Sequence, residues 1–275
     1  MHPILFRIGA FEVRSYGVML ALSFLFGILI AVKRAKKRGV DPNQIMDLSV
    51  LLMVSAMLGS RLLYVAFHLE EFRGHWLDAI NPVQSDGTIG LGGATVLGGV
   101  VLCFITTYIY LRMKKLPFLV FADILIPMVG LGIFLTRIGC YLNGCCYGLP
   151  CDAGHHFCVV FPANSVAGSM FPNTPLIPAQ LYSSLYGLLI LGILLYVERW
   201  KKFDGFLLYL FLVLYGISRF IIDFFRYYES SMVIMTISGK GISLNQGISF
   251  LFIVVGLFLL IYNHYSTKNK FILRK

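Results

Sequence analysis

The chain has 275 residues, of which 58% are hydrophobic and 13% charged, against about 25% charged in an average soluble domain. A mean hydropathy of +0.80 excludes a disordered chain, a collagen-like chain and an ordinary soluble enzyme. The net charge of +10 would point a soluble protein toward nucleic acid. In a chain this apolar it is first a topology signal, and no nucleic-acid partner is expected.

A spanning helix needs about 20 mostly apolar residues. Seven stretches qualify in chain order, with edges loose by several residues: 16–32, 45–67, 91–111, 118–139, 179–197, 205–225 and 246–263. The runs are continuous rather than alternating, which argues against a β-barrel. The expectation is an all-α, polytopic integral membrane protein of about seven transmembrane helices, forming a single domain over 1–275. The first apolar run is followed by a basic cluster instead of a small-residue cleavage site, so no cleavable signal is expected.

The basic residues sort by side. Lys33, Arg34, Lys36, Lys37 and Arg38 follow the first span, and Arg112, Lys114 and Lys115 the third. Arg199, Lys201 and Lys202 follow the fifth, and Lys268, Lys270, Arg274 and Lys275 the seventh. Fifteen of the 23 basic residues thus fall on one face. That face is cytoplasmic by the positive-inside rule, with the N-terminus outside and the C-terminus inside. The outer face then carries the segments 1–15, 68–90, 140–178 and 226–245. The third is long and rich in Cys, Pro, Gly and Asn, which marks a functional or mobile loop.

Arg61, Arg137 and Arg219 stay inside or at the outer ends of apolar segments, each directly after a hydroxyl residue, and Arg226 closes the sixth span. A single terminal Arg would snorkel to headgroups. Several at one depth favour a shared anionic ligand, because guanidinium binds phosphate bidentately and keeps its charge. Asp223 lies at i+4 from Arg219 and is expected to orient it. Asp123 is expected to be structural or interfacial and Asp47 an ordinary inner-end acid. Gly98 and Gly99, with Gly90, Gly92 and Gly93, read equally as tight helix packing or as backbone opened to a ligand. Tyr16 is an interfacial anchor level with the arginines.

Five of the six cysteines, Cys140, Cys145, Cys146, Cys151 and Cys158, fall in one short stretch. On an oxidising face disulfides are the first expectation. Zinc is weaker, even with His155 and His156 nearby, since the spacing fits no zinc pattern, and no metal or other cofactor is expected. Cys103 is expected to pack within its span. No histidine lies inside an apolar span.

The run from Thr136 to Gly148, T-R-I-G-C-Y-L-N-G-C-C-Y-G, resembles the signature of the prolipoprotein diacylglyceryl transferase family, approximately G-R-x-G-N-F-x-N-G-E-x-x-G. Further elements follow in register. Ser15-Tyr16-Gly17 resembles the family's W-Y-G, and the stretch from Gly59 to Tyr64 its G-x-R-x-x-Y. The pairs Gly92-Gly93 and Gly98-Gly99 resemble its glycine-rich element. Pro178-Ala179-Gln180-Leu181-Tyr182 resembles its H-P-S/T-Q-L-Y. Tyr215 to Phe220 resembles Y-G-x-x-R-F, Asp223 to Arg226 resembles E-F-F-R, and Asn245-Gln246-Gly247 the opening of the last span.

The resemblance covers nearly the whole chain. It implies an enzyme of the bacterial cytoplasmic membrane that moves the diacylglyceryl group of phosphatidylglycerol onto the lipobox cysteine of a prolipoprotein signal peptide, releasing glycerol phosphate. It implies that Arg137 and Arg219 act on the phosphate, with Tyr16 and Asp223 completing the catalytic set. Arg226, Arg61, Gly98, Gly99, Asn143 and Gly148 are implied as substrate-binding.

The chain departs from the family pattern at Leu97 and Ile177, where histidines are expected, and at Cys140 and Cys145, which replace Asn and Glu. The thiol proton then needs another acceptor: water, Tyr16 or a loop residue such as His155. Cys140 and Cys145 are expected to pair with other cysteines. The alternatives are a related enzyme or lipid-binding protein using the same phospholipid site with a different acceptor, a transporter, and a thiol–disulfide enzyme. The last two are disfavoured by the lack of an inverted repeat and of a C-x-x-C pair.

Overall fold

A computed structural model of the protein describes residues 2–8, 11–79, 95–151, 157–227, 233–237 and 240–272. Gly90, Gly92, Gly93, His155 and His156 lie outside these residues. The chain forms two compact units, Ala31–Phe118 and Met1–Ile30 with Leu119–Lys275.

Helix α1 (Ser15–Lys37) runs from the second of these units into the first. The Ala31–Phe118 unit is otherwise a helix pair, α2 (Pro42–Phe67) and α3 (Val96–Met113). Asp41 caps α2 by accepting the Asn43 N–H at 2.9 Å, and Pro42 opens the first turn where its missing N–H costs nothing. The two helices meet through small and hydroxyl residues. Gly98 lies against the Gly59 backbone, and a side chain there would strike it. The Ser55 and Thr106 hydroxyls share a hydrogen bond of 2.8 Å, Thr95 Oγ1 donates to the Ser60 carbonyl at 3.2 Å, and Cys103 Sγ donates to that of Leu52 at 3.3 Å. Close backbone approach with polar ties is how helices associate without a hydrophobic driving force.

The other unit holds α4 (Phe118–Asn143), α6 (Ala179–Val197), α7 (Phe206–Ile222) and α8 (Leu244–Ile272). Gly130 and Gly187 bring α4 and α6 together, and Ser184 Oγ donates to the Phe134 carbonyl at 2.9 Å. Gly216 and Gly256 do the same for α7 and α8. Tyr186, Ile190, Leu194, Leu207, Phe211 and Ile222 form a core between α6 and α7. Buried Asp123 accepts the N–H groups of Gly205, Leu207 and Leu208 at 2.9, 3.0 and 3.1 Å and pairs with Lys201 Nζ at 2.9 Å. A carboxylate from α4 therefore caps the N-terminus of α7, the structural role expected of it.

α1, α2, α4, α6 and α8 are long and apolar enough to cross a membrane, while α3 and α7 are shorter apolar helices. These seven match the seven expected spans. Exposed rows such as Val50, Val54 and Met57, or Leu251, Val254 and Phe258, are apolar surfaces suited to hydrocarbon contact. The all-α expectation holds, with short antiparallel strand pairs outside the helices. β1 (Ile4–Ile8) and β2 (Phe11–Arg14) form a hairpin with Arg7 paired to Glu12 at 2.7 Å. The segment between α4 and α6 contains the short pair β3 (Val159–Val160) and β4 (Pro175–Leu176), separated by the one-turn helix α5 (Val166–Met170). β5 (Val233–Ile237) and β6 (Lys240–Ser243) form a second hairpin that leads into α8.

Candidate functional site

The signature run straddles the end of α4. Arg137 and Cys140 are on its last turns and Asn143 is its final residue. Gly144 then takes φ +72 and Cys146 φ +60, conformations that turn the chain back on itself. The Cys145 N–H donates to the Cys140 carbonyl at 3.1 Å, and buried Gln180 of α6 donates from Nε2 to the Cys145 carbonyl at 2.8 Å. The turn is thus tied from both sides. It brings Cys140, Cys145 and Cys146 together with their Sγ atoms all within 4.8 Å of one another. The Cys145 Sγ also donates to the Cys140 carbonyl at 3.7 Å.

The cysteine expectation is corrected here. The loop disulfide joins Cys151 to Cys158, while Cys140, Cys145 and Cys146 carry free thiols. Hydrogen bonds from the Cys140 and Cys145 thiols, and next the charges of Arg226 and Arg137, hold the Cys146 thiol below its ordinary pKa against the opposing cost of burial.

Gly139 brings α4 against α1, where an added Cβ would meet the Tyr16 Cα at 3.2 Å. Tyr16 accordingly shares its electrostatic surroundings with Arg137 and the three thiols. Arg137 is half-buried and acts on Cys146, Tyr186, Cys140 and Tyr215. Among the described residues no carboxylate lies within ion-pair distance of it. The rings of Tyr186 and Tyr215 meet edge-on at 6.4 Å, and Tyr186 is within electrostatic reach of Arg137, Arg219 and Arg226 together.

Arg219 is buried on α7, and its Nη2 lies 3.3 Å from Asp223 Oδ1. Asp223 Oδ2 accepts from Ser243 Oγ at 2.9 Å. Ser243 in turn caps α8: it accepts the Gln246 N–H at 3.1 Å while Gln246 Oε1 accepts the Ser243 N–H at 3.0 Å. This is a reciprocal capping box. Arg219, Asp223, Ser243 and the start of α8 therefore form one connected chain of polar contacts.

Arg226 differs from expectation in its setting. α7 ends at Ile222 and Asp223 is its cap, so Arg226 lies beyond the helix, in an antiparallel bridge to Gly148. Gly148 is wedged there, since a Cβ would come within 2.6 Å of both the Ile177 and Phe225 carbonyls. Ile177 itself pairs with the loop, its N–H donating to the Leu149 carbonyl at 2.9 Å.

Arg137, Arg219, Arg226, Tyr16, Asp223, Asn143 and Gly148 thus belong to one unit. Arg61, Gly98 and Gly99 belong to the other. There the buried Arg61 guanidinium lies over the Phe72 ring at 5.2 Å and the Tyr64 ring at 5.8 Å, a cation–π setting. Gly98 and Gly99 face α2, at Gly59 and at Ala56, where they serve helix packing. Leu97 is exposed on the apolar helix α3. The sequence reading gave no role to Tyr186 or Ser243. Ser243 carried a usable signal, the S-x-x-Q spacing to Gln246; Tyr186 carried none beyond its place on an apolar helix.

Seven apolar helices and guanidinium groups gathered beside tyrosines and thiols define a polytopic helical membrane protein with a cationic site. Residues 3–262 match the family model described as prolipoprotein diacylglyceryl transferase. A phosphatidylglycerol–prolipoprotein diacylglyceryl transferase of Clostridium tetani is 29% identical over 266 residues, covering 94% of this chain and 96% of its own. One of Clostridium kluyveri is 30% identical over 262 residues, covering 95% and 96%. One of Clostridium botulinum is 29% identical over 249 residues, covering 89% and 96%. The chain belongs to the prolipoprotein diacylglyceryl transferase family.

Proposed function

We infer that the protein transfers the diacylglyceryl group of phosphatidylglycerol to the lipobox cysteine of a prolipoprotein, in the bacterial cytoplasmic membrane. The sulfur attacks the glyceryl carbon, an S–C bond forms, and the C–O bond to phosphorus breaks with its electron pair going to the phosphate oxygen. Glycerol phosphate leaves, and the thiol gives up its proton. The observation that carries this reading is the match of nearly the whole chain to the family model, with Arg137, Arg219 and Arg226 all exerting their charge on buried Tyr186. Guanidinium groups fixed before the reaction stabilise charge as it develops on the departing phosphate.

Arg137 and Arg219 are assigned to that phosphate, with Asp223 holding the Arg219 fork in place. Tyr16 hydrogen-bonds the same group, and Arg226, Asn143 and Gly148 contribute to substrate binding directly or by positioning backbone. The basic clusters place the N-terminus outside and the C-terminus in the cytoplasm, with the signature turn on the outer face. Substitution of Leu97, Cys140 and Cys145 for the expected His, Asn and Glu supports a second reading, the same phospholipid site serving a different acceptor.

The test is transfer of labelled diacylglyceryl from phosphatidylglycerol to a lipobox peptide in nanodiscs. Label on the cysteine peptide and none on its serine counterpart is the expected result. Absence of label from folded protein that binds the lipid would leave the second reading.

A further inference from the structure

Three thiols stand beside Arg137, and the transfer as written above does not use them. Cys140 is buried, while Cys145 and Cys146 are half-buried, so the cluster is approachable from one side. Its three sulfurs converge within 4.8 Å, whereas the loop's disulfide is made elsewhere, by Cys151 and Cys158. Any disulfide within the trio would leave one thiol over. Three thiolates around one ion use all of them: with Zn–S bonds of about 2.3 Å, tetrahedral ligand sulfurs lie about 3.8 Å apart. The turn that presents them is held in place by left-handed backbone at Gly144 and Cys146 and by Gln180.

We propose that Cys140, Cys145 and Cys146 bind one zinc ion as thiolates and leave its fourth position to the acceptor cysteine of the peptide. The identity of the fourth ligand rests on the transferase reading. Soft thiolates select zinc among the abundant divalent ions. Three protein ligands with one open position are the arrangement of a catalytic rather than a structural zinc. Three thiolates give the centre a net charge of −1. Arg137, one turn before Cys140 on α4, and Arg226, bridged to Gly148 two residues after Cys146, supply positive charge beside it.

The site also answers the problem set by Leu97. A thiol that coordinates zinc is deprotonated outright, so its proton passes to water and no histidine base is needed. The bound thiolate attacks the glyceryl carbon. The S–C bond forms as the C–O bond breaks, the electron pair leaves on glycerol phosphate, and no atom changes oxidation state at the metal. The thioether product is neutral and a poor ligand, so a second peptide thiolate displaces it.

The experiment uses the full chain in nanodiscs. Elemental analysis should find one zinc per chain, lost in Cys140→Ser and in Cys146→Ser. Cobalt(II) loaded in place of zinc should give the visible bands of a tetrahedral thiolate site, and these should shift with a lipobox cysteine peptide but not with its serine counterpart. The peptide comparison is made on wild-type protein and survives any failure of the variants to fold. Chelation should lower transfer at least about 100-fold, the scale of a missing general base, with recovery on adding zinc.

Protein that retains no zinc, a disulfide among the three cysteines mapped by alkylation, cobalt bands indifferent to the peptide, or undiminished transfer by metal-free protein would each overturn the proposal. The last of these would leave the transferase reading intact. Cobalt bands that shift with the peptide in protein that transfers nothing would support the metal site and overturn the transferase reading instead.

Discussion

Arg137 and Arg219 are held in different ways, and the difference predicts different mutant behaviour. Arg219 meets Asp223 one turn further along its own helix, and Asp223 is anchored by Ser243. Arg137 faces thiols and tyrosines, with no carboxylate in ion-pair distance among the described residues. Arg137 is therefore the group whose charge is most available to a phosphate. Arg137→Ala should reduce transfer by about 100- to 1,000-fold, the usual effect of deleting one transition-state donor. Arg137→Lys keeps the charge but loses the bidentate fork, and should recover part of that loss. Steady-state transfer with labelled phosphatidylglycerol checks both. Asp223→Asn keeps the volume and removes the orienting charge. It should lower kcat by about tenfold with a smaller change in KM, and Ser243→Ala should move both constants in the same direction by less.

At the scale of the elements, α7 depends on a residue that is not its own. Asp123 occupies the N-terminus of α7 from inside α4, bonded to three backbone N–H groups and to Lys201. Asp123 is fully buried, so removing it takes the acceptor from the Gly205, Leu207 and Leu208 N–H groups, while Lys201 keeps Asp204 at 2.7 Å. Asp123→Ala should destabilise the protein by about 3 kcal/mol, read as a lower midpoint in thermal unfolding of the solubilised protein. The helices were legible because a span is a composition signal about 20 residues long. The hairpins were not read in advance. Ile4–Ile8 and Val233–Ile237 are short runs whose signal is weak beside the long apolar stretches. The end of α7 was read three residues too far for a related reason. Phe224 and Phe225 prolong the apolar run, while the backbone has already turned so that Phe225 and Arg226 pair with the signature loop.

For the whole molecule, the clusters of basic residues predict sidedness. A cysteine placed in the segment 33–38 should be labelled by an impermeant thiol reagent only after the inner face is opened. One placed in 157–174 should be labelled in intact spheroplasts. The reverse pattern would invert the molecule and move the signature turn to the cytoplasmic side. The family was legible at this scale through its register, since motif elements spread over nearly the whole chain fall in order. What stayed hidden was the fate of the cysteines. Pairing is decided by backbone geometry at Gly144 and Cys146 and by the Gln180 contact, and spacing in sequence carries none of that.

The Asp123 cap also bears on how the protein is made. The carboxylate is synthesised 82 residues before Gly205, the first N–H it binds, and α4 enters the bilayer while its partners are still on the ribosome. A lone acid in a hydrophobic segment is unfavourable there. Lys201 and the Gly205, Leu207 and Leu208 N–H groups that Asp123 binds all follow it by about 80 residues. The cap on α7 is therefore completed late, by a carboxylate already placed in α4 before α6 is made.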